Sequence, residues 1–265
     1  MRVKFERIII GATTTGLGAF FSEPENCLLI EPTSMIGSDF AGSFYPGSAE
    51  GNLFQAEASN QLFQEATKIG VLKDGFVHLP GLQTLMYKQL VPHAKNVLFL
   101  TDLISAESID GEIAVTVFNR NGTTTYTCNE LIDATALMIT NQIKTEIKSV
   151  SLGCIFISTQ ENVVLPVIAN AKIYQSCFAN EFYFHLSIDK NESWAKARKE
   201  LITFIAEQKN SLEGWALAAS AIEKNVIVSN KYKGIASVLN PSQYDGIVAG
   251  FTAGINFFEN RKALV

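Results

Sequence analysis

The chain has 265 residues, 47% of them hydrophobic, which is enough to bury the core of one large domain or two modest ones and argues against a disordered chain. Its 21 basic and 26 acidic residues give a net charge of −5 without a block of like charges, so an extended surface for nucleic acid or anionic lipid is not expected and a small ligand is favoured. Cys27, Cys128, Cys154 and Cys177 stand far apart, with neither CxxC nor zinc spacing, and read as free thiols of a reducing compartment with no metal site. The short apolar run behind the N-terminal charges leads into a glycine turn and reads as a strand rather than a signal segment. No run approaches the length of a membrane span, so the chain is expected to be soluble and cytoplasmic.

The first strand is expected at about Phe5 to Ile10, followed by the turn Gly11-Ala12-Thr13-Thr14-Thr15-Gly16 and a short helix from about Thr14 to Ser22, ended by Pro24 and Asn26. A second apolar run, Cys27 to Ile30, stops at Glu31, twenty residues after Gly11. This is the outline of a nucleotide-binding βαβ unit. A buried parallel strand turns sharply into a helix whose first amides face a pyrophosphate, and the next strand ends in an acid that bonds a ribose hydroxyl. Thr13 departs from the pattern, because it fills the middle position of G-x-G-x-x-G.

Residues 32–51 carry Pro32, Gly37, Gly42, Pro46, Gly47 and Gly51 and read as a long functional loop. Helices are expected from about Phe54 to Ile69 and from about Leu82 to Leu90. The period then changes. Val97 to Leu100, Leu103 to Ile109, Ile113 to Phe118 and Thr123 to Thr127 read as strands of a meander turned by Asp110-Gly111 and Asn121-Gly122. Glu130 to Ala136 reads as a separate buried strand returning to the nucleotide sheet, and Ser151 to about Ile188 as a second sheet. Asp189 and Glu192 have capping-box spacing ahead of a helix through Trp194, Ala197, Leu201 and Ile205. The last helix, about Tyr244 to Phe258, carries Gly250 and Gly254 four apart and is expected to pack closely against cofactor or sheet.

With these elements in order, the chain resembles the FAD-dependent oxidoreductase superfamily, and within it the branch of fumarate reductase flavoproteins and glucose-inhibited division proteins. Gly11 and Gly16 match the outer glycines of that family's phosphate loop, with Thr13 and Thr14 between them, and Glu31, followed by Pro32, matches its ribose-binding acid. Met35-Ile36-Gly37-Ser38 and Phe40-Ala41-Gly42-Ser43 resemble the loop running under the flavin, and Leu103 falls in the strand whose backbone touches the adenine. Ala134 and Thr135, within Glu130 to Ala136, resemble the family's A-T-G signature, with Ala136 in place of the glycine. Gly250-Phe251-Thr252-Ala253-Gly254 resembles the C-terminal G-x-A-A-G helix whose positive end faces the flavin.

The resemblance implies an α/β fold, with a Rossmann-like FAD/NAD(P)-binding domain that carries a β-meander (residues 1–135 and 231–265) and a smaller β-rich substrate or cap domain (residues 136–230). It implies FAD as cofactor, bound through Gly11, Thr13, Thr14, Gly16, Glu31, Pro32, Gly37, Ser38, Gly42, Leu103, Ala134, Thr135, Gly250 and Ala253. A small-molecule substrate would exchange a hydride with flavin N5, and neither nucleic acid nor membrane is expected as partner. No catalytic residue is assigned. Of the three histidines, His185 interrupts the apolar strand Phe182 to Leu186 and reads as a polar residue on an outward face. Two alternatives stay open: a non-catalytic descendant with a filled phosphate crevice, and a nicotinamide-nucleotide binder using the first βαβ unit.

Overall fold

The computed structural model describes residues 3–47, 61–158, 160 and 163–262. In chain order the first elements are β1 (Val3–Ile10), α1 (Thr14–Ser22), β2 (Cys27–Ile30), α2 (Gln61–Lys68), β3 (Leu72–Lys73), β4 (Phe76–Val77) and α3 (Leu79–Leu90). There follow β5 (Val97–Leu98), β6 (Asp102–Ile109), β7 (Glu112–Asn119), β8 (Gly122–Asp133) and β9 (Ile147–Ser158). The chain closes with β10 (Ala171–Gln175), β11 (Glu181–Ile188), α4 (Trp194–Glu207), β12 (Trp215–Ser220), β13 (Asn225–Val228), β14 (Ser237–Val238) and α5 (Ile247–Lys262).

Two compact units result, one of residues 1–38, 86–146 and 229–265, the other of residues 39–85 and 147–228. Residues 39–47 and 61–85, expected with the nucleotide-binding part, cluster with the second unit.

The first unit is built on a sheet in the order β5-β2-β1-β8-β7-β6, with β14 added beside the end of β8. Strands β5, β2, β1 and β8 run parallel, and β8, β7 and β6 form the antiparallel meander. Ile8, Ile10, Leu28, Ile30 and Leu131 share one apolar face, onto which Val115, Val117 and Leu103 of the meander pack. Ile9 and Leu29 alternate to the opposite face and are equally buried, and α1 packs over β1 and β2. Asp110 and Gly111 both adopt the left-handed backbone that a two-residue hairpin needs, at φ 52° and 85°. The expected break between Thr127 and Glu130 is absent. β8 is one twelve-residue strand, whose first half pairs with β7 and second half with β1, so a single strand serves meander and parallel sheet.

The second unit holds an antiparallel sheet, β10-β11-β9-β12, with β13 also on β9. Leu152, Cys154 and Phe156 of β9 and Phe182, Phe184 and Leu186 of β11 face α4 through Ala197 and Leu201. The cap of α4 differs from the expected capping box. Ser193, adjacent to the first helical residue, accepts the Lys196 amide, while Asp189 forms a preceding turn with Asn191 and Glu192. α3 starts at Leu79, one turn earlier than expected, because Pro80 is tolerated in a first helical turn. Only Gln61–Lys68 of the helix expected from Phe54 is described, and its first turns and Gly51 lie outside the described residues.

Candidate functional site

At the end of β1 the chain turns through Gly11, whose φ of +100° suits glycine, and whose amide donates to the Ile30 carbonyl at 2.8 Å. Thr13 caps α1 from an ordinary extended conformation, φ −75° and ψ 177°. Its hydroxyl accepts the Gly16 amide at 3.3 Å and donates to the Ala134 carbonyl at 2.6 Å. A Cβ at Gly16 would collide with the Gly11 carbonyl, so this third glycine position admits no side chain. Ala134 follows β8, the parallel strand on the side of β1 opposite β2, so the Thr13 bond spans the point where the strand order reverses. In open parallel sheets that crevice is where ligands bind.

The first turn of α1 leaves a donor over. Thr15, second in the helix, cannot bond its amide within the helix, and the residue is fully buried. Its hydroxyl is spent on the Leu239 carbonyl at 2.6 Å, while its amide finds no acceptor among the described residues. A buried N–H at a helix start, without partner, is a place for an anion.

α5 strengthens that field. Gly250 lies against Thr14, and Gly254 against Thr15 and Gly18, so contacts advance in the same direction along both helices and α1 and α5 run parallel. Their positive ends therefore share one end of the unit. The glycine pair packs on α1 rather than on the sheet, because Gly18 and Gly254 let the backbones approach where a Cβ would meet backbone atoms, and a Cβ on Gly250 would meet the Thr14 hydroxyl.

Glu31, 3% exposed, is engaged within its own chain. One carboxylate oxygen accepts the Ala12 amide at 2.8 Å, and the other accepts the Thr33 amide and hydroxyl at 2.9 and 2.7 Å. Asp133, at the end of β8, repeats the device, accepting the Thr135 amide and hydroxyl at 3.0 and 2.6 Å, and it also accepts both from Thr140 at 2.7 Å. An acid followed two residues on by threonine, Glu31-Pro32-Thr33 and Asp133-Ala134-Thr135, thus fixes the chain as it leaves two parallel strands. That spacing is readable in the sequence, though it belongs to neither the glycine pattern nor the A-T-G signature.

The other expected residues distribute as follows. Gly37, at φ +64°, donates its amide to the Ala12 carbonyl at 2.6 Å and so touches the phosphate loop, and Pro32 and Ser38 flank this stretch half-buried. Leu103 packs into the core under the meander, while the backbone bonds to Glu31 come from Leu98 and Thr101. Ala253 lies within α5. Gly42 belongs to the second unit, where its carbonyl accepts the amides of Ile222 and Glu223 at 3.0 Å each.

The second unit also corrects the expectation for His185, which is buried rather than outward. Nε2 donates to the Phe44 carbonyl at 2.8 Å, Nδ1 accepts the Ser151 hydroxyl at 3.1 Å, and Tyr45 and Tyr174 meet the ring edge to face. Burial pushes its pKa down to about 4, so the ring is neutral near pH 7. With both nitrogens engaged, the ring anchors the 39–47 segment and offers no free base.

No family model and no curated protein matches the chain by sequence. Solved structures do match it by fold. The p-nitrophenol 4-monooxygenase PnpA of Pseudomonas putida DLL-E4 superposes with a TM-score of 0.66 at 8% identity, over 100% of this chain and 81% of that one. The flavin-dependent brominase Bmp2 gives 0.64 at 11% identity, over 99% and 79%, and a flavoprotein/dehydrogenase of Cytophaga hutchinsonii gives 0.60 at 10%, over 97% and 79%. The chain has the flavoprotein hydroxylase fold. The likeness is one of fold and does not single out the fumarate reductase branch.

The arrangement has donors suited to an anion such as a phosphate. The unpaired Thr15 amide and two parallel helix starts supply donors and positive field, Gly11 and Gly16 shape the turn, and the Thr13 side chain occupies the position where the family's pattern has none.

Proposed function

We propose that the protein is an FAD-dependent oxidoreductase acting on a small organic molecule in the cytoplasm. The observation that carries this reading is the buried Thr15 amide without acceptor among the described residues, at the head of α1, beside the reversal of strand order. Gly11, Thr14, the Thr15 amide and Gly16 would hold the phosphates, Glu31 with Pro32 would serve the ribose, and Leu103 would lie along the adenine. Gly37 and Ser38 would line the flavin, with Ala134 and Thr135 forming a wall of the phosphate crevice. The start of α5, whose first turn reaches Gly250, would favour negative charge on the reduced ring, with Ala253 in the next turn. Bound there, the flavin supplies hydride transfer at N5. The chain's own part is to bind, orient and exclude water. The branch of fumarate reductase flavoproteins is supported by Met35 to Ser38 and Glu130 to Ala136 as sequence motifs.

One observation favours a second reading, a non-catalytic descendant of the fold. The Thr13 side chain, bonded across to Ala134, stands where a pyrophosphate needs room.

The visible absorption spectrum of protein purified without added cofactor, repeated after incubation with FAD and removal of the excess, separates the two. A flavin spectrum that survives removal is expected. A colourless protein in both measurements would sink the oxidoreductase reading and leave the second in place.

A further inference from the structure

We infer that Thr13 is a latch on the nucleotide crevice, and that this one side chain, rather than any change in the fold, sets how tightly the chain holds a flavin dinucleotide. The inference rests on the reading above and asks which group in that site limits it.

The crevice has two walls, the Gly11 to Gly16 turn after β1 and residues 134–140 after β8. The second wall is closely hydrogen-bonded. Asp133 accepts four bonds from Thr135 and Thr140, the Thr140 hydroxyl lies 2.9 Å from that of Tyr232, and Asn240 donates to the Ala136 carbonyl at 3.1 Å. The first wall is pinned through Glu31 to the Ala12 amide and through Ala12 to Gly37. Both backbones are held in place by these bonds.

What remains movable is the Thr13 side chain. Its hydroxyl joins the walls at 2.6 Å through Ala134, caps Gly16, and lies 3.2 Å from the Thr15 hydroxyl, all in a residue 3% exposed. A threonine has other staggered positions, but leaving this one gives up the bond to Ala134 and the cap together. A ligand therefore meets a population mostly latched, and its apparent affinity falls by the unlatched fraction.

The backbone does not need threonine. At φ −75° and ψ 177° any residue is unstrained, and glycine is accepted as a helix cap nearly as well as threonine. Removing the side chain thus opens the crevice and leaves the loop in place. Serine would keep the latch.

The test is FAD titration, followed by quenching of flavin fluorescence, on wild type, Thr13→Gly, Thr13→Ala and Thr13→Ser, with the melting temperature of each flavin-free protein. Thr13→Gly should bind FAD about tenfold or more tightly than wild type, as expected for releasing one to two hydrogen bonds. Thr13→Ala should fall between, and Thr13→Ser should stay near wild type. If Thr13→Gly proves unfolded by its melting curve, Thr13→Ala carries the same comparison. Wild type that binds FAD with no gain on opening would overturn the latch and leave the flavin reading standing. No binding by any variant would overturn both. Binding by Thr13→Gly beside a wild type that takes up none would support the latch and overturn the natural chain as a working flavoenzyme.

Discussion

His185 shows how a single residue is decided by what covers it. Tyr183 and His185 alternate with Phe182, Phe184 and Leu186 along β11, so strand period alone separates two faces. The second face is covered by Phe44 and Tyr45, and the imidazole is neutral because charge would be buried there. The unfolded chain takes up a proton near the ordinary histidine value of 6.5, and the folded chain only near 4. Stability supplied by the neutral ring is therefore complete above pH 6.5 and is lost as pH falls to 4, by up to about 3 kcal/mol. Denaturant midpoints at pH 7 and pH 4.5 should show this loss in wild type and a shallower one in His185→Gln. Equal slopes in the two proteins would remove His185 as the cause. The cysteines behave alike in kind. Burial pushes the Cys27 and Cys128 thiols up to about 12 and raises those of Cys154 and Cys177, which leaves none poised as a nucleophile.

Among the elements, the seam of α1 and α5 is the most demanding contact. A Cβ on Gly254 would collide with the Thr15 carbonyl and lie 2.7 Å from the Ala19 nitrogen and 2.9 Å from the Gly18 Cα, all backbone atoms that cannot rotate away. Gly250 would meet chiefly the Thr14 hydroxyl, at 2.6 Å, which can. Gly254→Ala should therefore cost roughly 2 to 3 kcal/mol and lower the melting temperature by roughly 5 to 10 °C, with Gly250→Ala clearly milder. Calorimetry giving equal melting temperatures for wild type and Gly254→Ala would contradict the close approach. Arg7 ties β1 to its surroundings in a similar way, pairing with Glu23 and Glu130 and lying 4.2 Å over the Phe258 ring.

For the whole molecule, a ligand that binds only the folded chain must raise its melting temperature in proportion to occupancy. FAD at about one hundred times its dissociation constant adds about 2.7 kcal/mol, which for a chain of this size is a rise of several degrees. Thermal melts with FAD, with NADH and with neither should show the rise for FAD alone. A rise with NADH in place of FAD would favour a nicotinamide nucleotide as the ligand. Among the described residues no helix is long and apolar enough to cross a membrane.

The sequence by itself determined the local order of the first unit. Ile8 to Ile10 before Gly11, Cys27 to Ile30 before Glu31, and Asp110-Gly111 between alternating strands are short-range signals, and β1, α1, β2 and the meander stand where those signals put them. Only the tertiary structure decided what depends on residues distant in the chain. That β8 is one strand follows from having β7 on it at one end and β1 at the other, and the burial of His185 comes from Phe44, more than a hundred residues earlier. The glycines of α5 meet α1 across nearly the whole chain, and Thr13 meets Ala134 in the same long-range way. Period, turn chemistry and capping act over a few residues and leave their mark in the sequence. The closure of a crevice or the covering of a face depends on which segments the fold brings together.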